Sequence, residues 1–240
     1  PKYDSFAAVL GQRPYVDDLP FDGLLHGALR FSDHPRAKVL KIDVSQAEQV
    51  AGVVRIFLAG DVPGVRSVGL ITQDWPLFVA PGEETRYVGD ALALVVADSP
   101  QAARAAVEQI VVDYQVLEPL TDPFDALQPG APQIHPAGNI LSTTIVQRGD
   151  MAAARAATAY TVSGRYETQR IEHGYMETEA AVALAGQDGY AVTIYSQSQG
   201  IYEDRIQIAA LLGIPQEQVR VILVPNGGGF GGKEDLSVQG

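Results

Sequence analysis

The apolar and polar positions in the first half of the chain follow short, strand-like patterns between polar turns. Strands are predicted by alternation, or by short apolar runs, at residues 37–44, 53–58, 91–97 and 110–114. The run 91–97 is apolar on both faces, which is typical of a strand in the middle of a sheet. Together with the helices described next, these strands predict one compact α+β unit over about residues 10–120.

Helix starts are indicated where a capping residue precedes an apolar or alanine-rich stretch. Ser45 and Glu48 form a capping-box pattern, which predicts a short helix after Ser45. Ser99 followed by Pro100 is the pattern of an N-cap and a first helical residue. Further helices are predicted at residues 151–157, after the capping residue Asp150, and at about 202–212, before Gly213.

Prolines divide the chain after the first unit. Each restricts the residue before it, which favours a linker over a packed element. These prolines are Pro119, Pro123, Pro129, Pro132 and Pro136. Beyond them, strands are predicted at residues 160–168, 191–195 and 219–224. We therefore expect a domain over residues 1–120, a linker over 121–145 and the beginning of a second domain over 146–240.

Composition and charge exclude several classes of protein. The chain has 240 residues, 46% of them hydrophobic, and a formal net charge of −12, so nucleic acid is not an expected partner. Its longest clean apolar run, Ala91–Ala97, is too short to span a bilayer, and its start shows no signal-peptide pattern, so we expect a cytoplasmic location. The absence of cysteine excludes disulfides, thiol nucleophiles and cysteine-ligated iron–sulfur clusters on this chain.

A glycine loop, defined here as residues 225–234, follows the last predicted strand. Five of its ten residues are glycine. So many glycines indicate backbone that turns with positive φ or approaches another group closely. The loop ends in a basic and an acidic residue, Lys233 and Glu234. We therefore expect the chemistry of the protein to lie in this loop.

Two general phosphate-binding motifs fit the loop in part. Gly227, Gly229 and Gly232 satisfy G-x-G-x-x-G, but the chain offers no acidic residue about 20 positions further on. Gly227 to Lys233 also satisfies most of a P-loop, whose next residue must be a hydroxyl that binds Mg²⁺. Glu234 occupies that position, which argues against a P-loop. A plain glycine turn with a solvated Lys–Glu pair is the simplest local alternative.

A longer string of residues is more specific. Gly-Gly-Gly-Phe-Gly-Gly-Lys-Glu, residues 227–234, resembles the signature of the molybdenum-binding part of the xanthine dehydrogenase/aldehyde oxidase family of molybdenum hydroxylases. The phrase Glu172-His173-Gly174-Tyr175-Met176-Glu177 is similar to one that the family carries. The order of elements over residues 10–120 resembles its small hammerhead domain. The resemblance implies an α+β fold, with a hammerhead-like domain followed by the start of a molybdopterin-binding domain.

The resemblance also implies site residues. Gln199 matches a glutamine that hydrogen-bonds an oxygen ligand of molybdenum, although Gln197 competes for this assignment from two residues away. Phe230 matches a position whose backbone approaches the metal, and Glu234 matches a glutamate beside the substrate. Neither Gln199 nor Phe230 is expected to be a direct metal ligand. The cofactor-binding residues implied in this way are Gln199, Gly228, Gly229, Phe230 and Gly231.

The implied reaction is hydroxylation of an aldehyde or an N-heterocycle such as a purine, with water as the oxygen source. It implies a molybdenum–pyranopterin cofactor, with the cytosine dinucleotide form as one candidate, and iron–sulfur clusters and FAD on other domains or subunits. The family's general base lies further along the molybdenum subunit than this chain extends, so we expect the chain alone to be inactive. A nucleotide-binding module and a non-catalytic assembly module remain as alternatives.

Overall fold

The computed structural model describes residues 5–240, which form short strands and helices in mixed order. The strands are β1 (His26–Phe31), β2 (Ala37–Asp43), β3 (Val53–Phe57), β4 (Ser67–Val68), β5 (Trp75–Pro76), β6 (Glu84–Thr85), β7 (Ala91–Ala97), β8 (Val111–Val116), β9 (Ala181–Ala185), β10 (Val192–Ser196) and β11 (Val219–Leu223). The helices are α1 (Ser5–Val9), α2 (Pro100–Val107), α3 (Pro123–Ala126), α4 (Met151–Ala157) and α5 (Ile201–Leu212).

The first core forms around β7, which pairs on both sides in the antiparallel order β1-β7-β3. Val95 is paired with Ala28 on one side and Ile56 on the other, and it is fully buried. Helix α2 covers this sheet with its buried residues Ala103 and Ala106. The central position predicted from the apolar run is confirmed, because a strand covered on both faces has no solvated side to carry polar residues.

A second sheet, in the order β6-β2-β8, completes this part of the chain. The helix predicted from the capping box after β2 is wrong. Ser45 Oγ donates to Asp43 Oδ1 at 2.6 Å, and only a short 3₁₀ turn, Ala47–Gln49, follows. The local bond from the serine to the nearby carboxylate replaces the helix cap. By contrast, Ser99 caps α2 as predicted, with Oγ accepting from Ala102 N at 3.3 Å.

A third sheet, in the order β11-β10-β9, carries the second core. Strands β10 and β11 run parallel and are connected through α5, which packs on β11. Helix α5 ends at Gly213, whose φ of 65° is the left-handed conformation that glycine adopts most readily. Ile194, Ile208 and Leu211 lie in a buried cluster that also includes Val68 from the first part of the chain.

The chain divides into two compact units, and one of them is discontinuous. The larger contains residues 5–118 together with 173–240, and the smaller contains residues 119–172. Within the smaller unit, Asp150 caps α4 as predicted, with Oδ1 accepting from Ala153 N at 3.0 Å. The strand predicted at residues 160–168 is wrong, because this segment is exposed and has no regular structure. A period-two pattern cannot hold a strand without a neighbour for its backbone groups.

Candidate functional site

The site candidate lies where two parallel strands end. Because β10 and β11 are parallel, the residues that follow them lie at the same edge of the sheet. Residues 197–200 follow β10, and the glycine loop follows β11 shortly afterwards. Val224 N donates to Ser196 O at 2.8 Å just before the two segments begin, and Asn226 Nδ2 donates to Gln197 O between them. The carboxyl edge of a sheet is a common place for ligands.

The centre of the glycine loop is a tight turn. Gly232 N donates to Gly229 O at 2.8 Å, and the two residues between them, Phe230 and Gly231, have φ values of 52° and 95°. Two consecutive positive φ values are those of a type I′ turn. Positive φ is uncommon for a phenylalanine. Its side chain projects from the turn and is 73% exposed.

Gln199 packs directly onto this turn. Its Oε1 accepts hydrogen bonds from Gly231 N at 2.9 Å and Lys233 N at 3.3 Å, and its backbone N donates to Lys233 O at 2.8 Å. A Cβ added to Gly229 would lie 2.4 Å from Gln199 Oε1. Glycine is therefore required at this position so that the turn and the glutamine side chain can meet.

The structure separates Gln199 from its neighbour Gln197. Gln197 is fully buried, donates from Nε2 to Thr178 O at 2.6 Å and accepts at Oε1 from Lys233 Nζ at 2.6 Å. Gln199 is exposed. Both polar atoms of the Gln197 side-chain amide are hydrogen-bonded inside the protein. Of the two glutamines, it is therefore Gln199 that has an exposed amide group for a ligand.

Several amides of the loop are used inside the protein. Gly228 N donates to Asn226 Oδ1 at 2.7 Å, and Gly231 N donates to Gln199 as described. Across residues 5–240, Gly229 N and Phe230 N have no acceptor. Of the four backbone positions that the sequence indicates as cofactor-binding, two therefore keep an available donor.

Lys233 and Glu234 are neighbours in sequence but differ in burial. Lys233 is 0% exposed, and its ammonium group bonds to Gln197 and to Glu177. This burial contradicts both the P-loop, whose lysine must reach phosphates, and the solvated Lys–Glu pair. Glu234 is exposed. Its carboxylate is therefore accessible at the edge where the loop ends.

A second segment, residues 173–177, supports the loop from the side. Gly227 N donates to Glu177 Oε2 at 2.6 Å, and a Cβ on Gly232 would lie 2.8 Å from both His173 Nδ1 and Tyr175 Cε1. Within residues 5–240, no group of three or more His, Cys, Asp or Glu residues could hold a metal ion. The specific partner Glu177 was not predicted.

A buried polar cluster underlies the site, and no pattern in the sequence predicted it. Ser198 Oγ donates to Lys233 O at 3.3 Å, and Ser196 Oγ donates to Asp204 Oδ2 at 3.4 Å. Asp204 is fully buried on α5, and burial raises its pKa to about 6, against the smaller lowering effect of the serine hydroxyls. The backbone oxygen of Lys233 is thus bonded to the Ser198 hydroxyl, which also interacts with a buried carboxyl group that is hard to ionise.

Among residues 5–240, helices that combine the length and the apolar character needed to cross a membrane are absent.

Comparison with protein families assigns both parts of the chain. Residues 10–118 match the model described as "Aldehyde oxidase and xanthine dehydrogenase, a/b hammerhead domain". Residues 134–239 match the model described as "Molybdopterin cofactor-binding domain". The two matches together cover most of the chain and leave residues 119–133, within the proline-rich segment, between them.

Curated relatives align along nearly the whole chain. It is 38% identical over 98% of its length to a probable xanthine dehydrogenase subunit of Bacillus subtilis, covering 31% of that protein. It is 33% identical over 99% of its length to the nicotinate dehydrogenase large molybdopterin subunit of Eubacterium barkeri, covering 55% of that protein. The chain therefore spans between about a third and about half of the length of these relatives.

Solved structures share the fold. The aldehyde oxidoreductase of Desulfovibrio gigas matches 97% of this chain with a TM-score of 0.85 and 30% identity, over 27% of its own length. The quinoline 2-oxidoreductase of Pseudomonas putida matches 96% of this chain with a TM-score of 0.83 and 29% identity, over 30% of its own length. With the hammerhead and molybdopterin-binding regions in the expected order, the chain belongs to the xanthine dehydrogenase/aldehyde oxidase family of molybdenum hydroxylases.

Proposed function

We propose that this chain is the N-terminal part of the molybdenum-binding subunit of a hydroxylase that oxidises an aldehyde or an N-heterocycle such as a purine, with water as the oxygen source. The observation that carries the proposal is the arrangement at the edge of the β10–β11 sheet. There the exposed Gln199 side chain, the available amides of Gly229 and Phe230 and the exposed Glu234 belong to one bonded unit.

The donors at this edge fit an anionic molybdenum–pyranopterin. Backbone amides at consecutive positions of a turn bind anionic oxygens, and Gly229 N and Phe230 N are such donors. Gln199 Oε1 already accepts from the loop, so its remaining polar end is the Nε2 donor. An amide donor at Gln199 would suit an oxygen of such an anionic group because it adds a hydrogen bond without adding charge. When bound, this group supplies the redox chemistry of the reaction.

We assign Glu234 the role of contacting the substrate. Its carboxylate is exposed, and the residue before it is bonded to two segments, residues 173–177 and 197–200, so the start of its side chain is held in place. In this position it would hydrogen-bond a heterocycle or an aldehyde hydrate, or accept a proton from it. The general base of the reaction is assigned to the part of the subunit that follows this chain.

The remaining parts of the enzyme are assigned to other segments or subunits. The chain has no cysteine, so iron–sulfur clusters would be carried elsewhere, together with FAD. The cytosine dinucleotide form of the cofactor, the cytoplasmic location and the domain limits 1–120, 121–145 and 146–240 stay predictions. A nucleotide-binding function is not favoured, since the lysine that it would need is buried.

The assignment of Glu234 is tested in the complete molybdenum subunit with its partners. We expect Glu234→Gln to lower kcat/KM by about 10²- to 10⁴-fold, the usual contribution of a positioned acid or base, with the molybdenum content unchanged. Glu217→Gln, at an exposed position of the same region, is the matched control and should behave as wild type. A Glu234→Gln enzyme with wild-type kcat/KM would contradict the assignment.

The dependence on the rest of the subunit gives a second prediction. Gly229 N, Phe230 N and Gln199 Nε2 are few donors for a large anionic cofactor, so the 240-residue chain should not retain it. Metal analysis of the purified chain is expected to give far less than one molybdenum per protein. Stoichiometric molybdenum would show that this chain holds the cofactor by itself and would refute the prediction.

A further inference from the structure

Lys233 is the largest of the fully buried side chains within residues 5–240, and it directly precedes Glu234. A lysine is almost never fully buried unless its ammonium group is paired. The partners of this ammonium group therefore show what the side chain holds together.

The partners account for the three donors of the ammonium group. Nζ donates to Gln197 Oε1 at 2.6 Å and to Glu177 Oε2 at 3.3 Å. It also lies 4.6 Å from the centroid of the Tyr175 ring, within the range of a cation–π interaction. The positive charge of Lys233 is therefore paired with groups inside the protein.

The same two oxygen-bearing partners also hold the start of the glycine loop. Glu177 Oε2 accepts from Gly227 N at 2.6 Å, and Gln197 O accepts from Asn226 Nδ2. Lys233 itself stands at the end of the loop, where its backbone oxygen accepts from Gln199 N at 2.8 Å. The ammonium group thus joins the two ends of the loop through shared partners.

We infer that Lys233 is a positioning residue, whose buried ammonium group closes the glycine loop at its base and thereby orients Gln199 and Glu234 relative to the available amides of the turn. The inference rests on the proposed function, in which Gln199 and Glu234 act. Without the ammonium group, the two ends of the loop lose the partner that connects them. The backbone at Glu234 is then no longer held in place, and its carboxylate is no longer oriented, even in a folded protein.

The test compares variants of the complete, cofactor-loaded subunit. Lys233→Met keeps most of the length of the side chain and removes the charge, but leaves the Glu177 carboxylate, 18% exposed, without its counter-ion. The double variant Lys233→Met/Glu177→Gln removes both charges and relieves that penalty. Lys41→Met is the control, because the Lys41 side chain is 62% exposed and pairs only at the surface.

Three quantities are measured for each variant: thermal stability, kcat, and amide hydrogen exchange of peptides spanning residues 226–236. We expect the double variant to be more stable than Lys233→Met. We also expect both variants to lose about 10- to 100-fold in kcat, the size of effect that a small misplacement of a reacting group produces. Both should exchange faster than wild type in these peptides, and Lys41→Met should match wild type in all three measurements.

A purely structural lysine would give a different pattern. If the double variant recovers kcat and slow exchange together with stability, the positioning role is overturned. Wild-type exchange in both variants overturns it as well. The exchange measurement does not depend on turnover: faster exchange in both Lys233 variants, combined with full activity of Glu234→Gln, would support the loop-closing role of Lys233 and refute the catalytic role of Glu234.

Discussion

Asp204 is a residue whose charge state the fold constrains. Its side chain is fully buried, its Oδ2 accepts a long bond from Ser196 Oγ, and its Oδ1 has no hydrogen-bond partner among residues 5–240. Burial raises its pKa to about 6, whereas a carboxyl group of an unfolded chain titrates near 3.9. The folded protein therefore favours the protonated form, and ionisation of this group opposes folding.

Asp204→Asn is expected to stabilise the protein near neutral pH. Because the folded pKa is raised, the favourable contribution of the protonated acid is complete below about pH 4 and is lost as the pH rises through about 6. Asn does not ionise, so Asp204→Asn does not lose this contribution as the pH rises. The free energy of unfolding of the variant should therefore exceed that of wild type by an amount that grows from pH 4 to 7 and approaches about 2–3 kcal/mol. Denaturant unfolding at several pH values measures it.

Asp22→Asn is the control for this prediction, because Asp22 is exposed. It should leave the pH dependence of the unfolding free energy unchanged. A constant difference between Asp204→Asn and wild type over this pH range would mean that Asp204 does not titrate there, and would contradict the prediction.

Individual side chains were harder to predict than the segments that contain them. The sequence indicated the glycine loop and the phrase around His173, and the structure brings both together. It did not indicate that Lys233 is buried, because its partners Gln197 and Glu177 lie 36 and 56 positions away along the chain. A lysine beside a glutamate is typical of a surface pair until the fold supplies such distant partners.

At the scale of elements, the C-terminus of α5 has an unusual cap. A helix leaves its last carbonyl groups without intrahelical partners. Here the first part of the chain supplies two donors: Gly64 N donates to Leu211 O at 2.8 Å, and Val65 N donates to Ala210 O at 3.0 Å. This contact ties the hammerhead region to the helix that connects β10 with β11.

Gly64→Ala should weaken that contact. An added Cβ would lie 2.0 Å from Ala210 O, so the backbone must move apart and the bonds to α5 must lengthen. We expect a loss of about 1–3 kcal/mol in the free energy of unfolding, as for other overpacked sites. Gly60→Ala is the matched control, since nothing lies within 4 Å of its added Cβ. Equal stability of the two variants would argue against the contact.

Elements with strong local signals were predicted correctly, and those that depend on partners were not. Strand β7 and the capped helices α2 and α4 follow from apolar runs and cap residues alone. The helix after Ser45 failed because Asp43, two residues earlier, binds the serine hydroxyl. The strand at residues 160–168 failed because the pattern of one segment does not reveal whether a second segment is there to pair with it.

On the scale of the whole molecule, the larger unit is built from two separate stretches of chain, residues 5–118 and 173–240. Their contact includes a shared apolar cluster, in which Val68 packs with Ile194 and Leu211. Hydrogen bonds add to it, such as Gly69 N to Gln207 Oε1 at 2.8 Å. The covalent connection between the two stretches runs through residues 119–172, whose side chains are mostly exposed.

This arrangement predicts that the larger unit survives cleavage of its connection. Brief trypsin treatment should cut first at the exposed arginines of the smaller unit that lie outside its helices, Arg148, Arg165 and Arg170, because exposed segments without regular structure enter a protease site most easily. The two fragments should nevertheless elute together in size-exclusion chromatography, since the apolar cluster and the bonds to α5 do not depend on the cut segment. In Gly64→Ala, where those bonds are disturbed, the nicked fragments should separate at a lower denaturant concentration than in wild type. Immediate separation of the wild-type fragments in buffer would show instead that the connection, and not the shared core, holds the two stretches together.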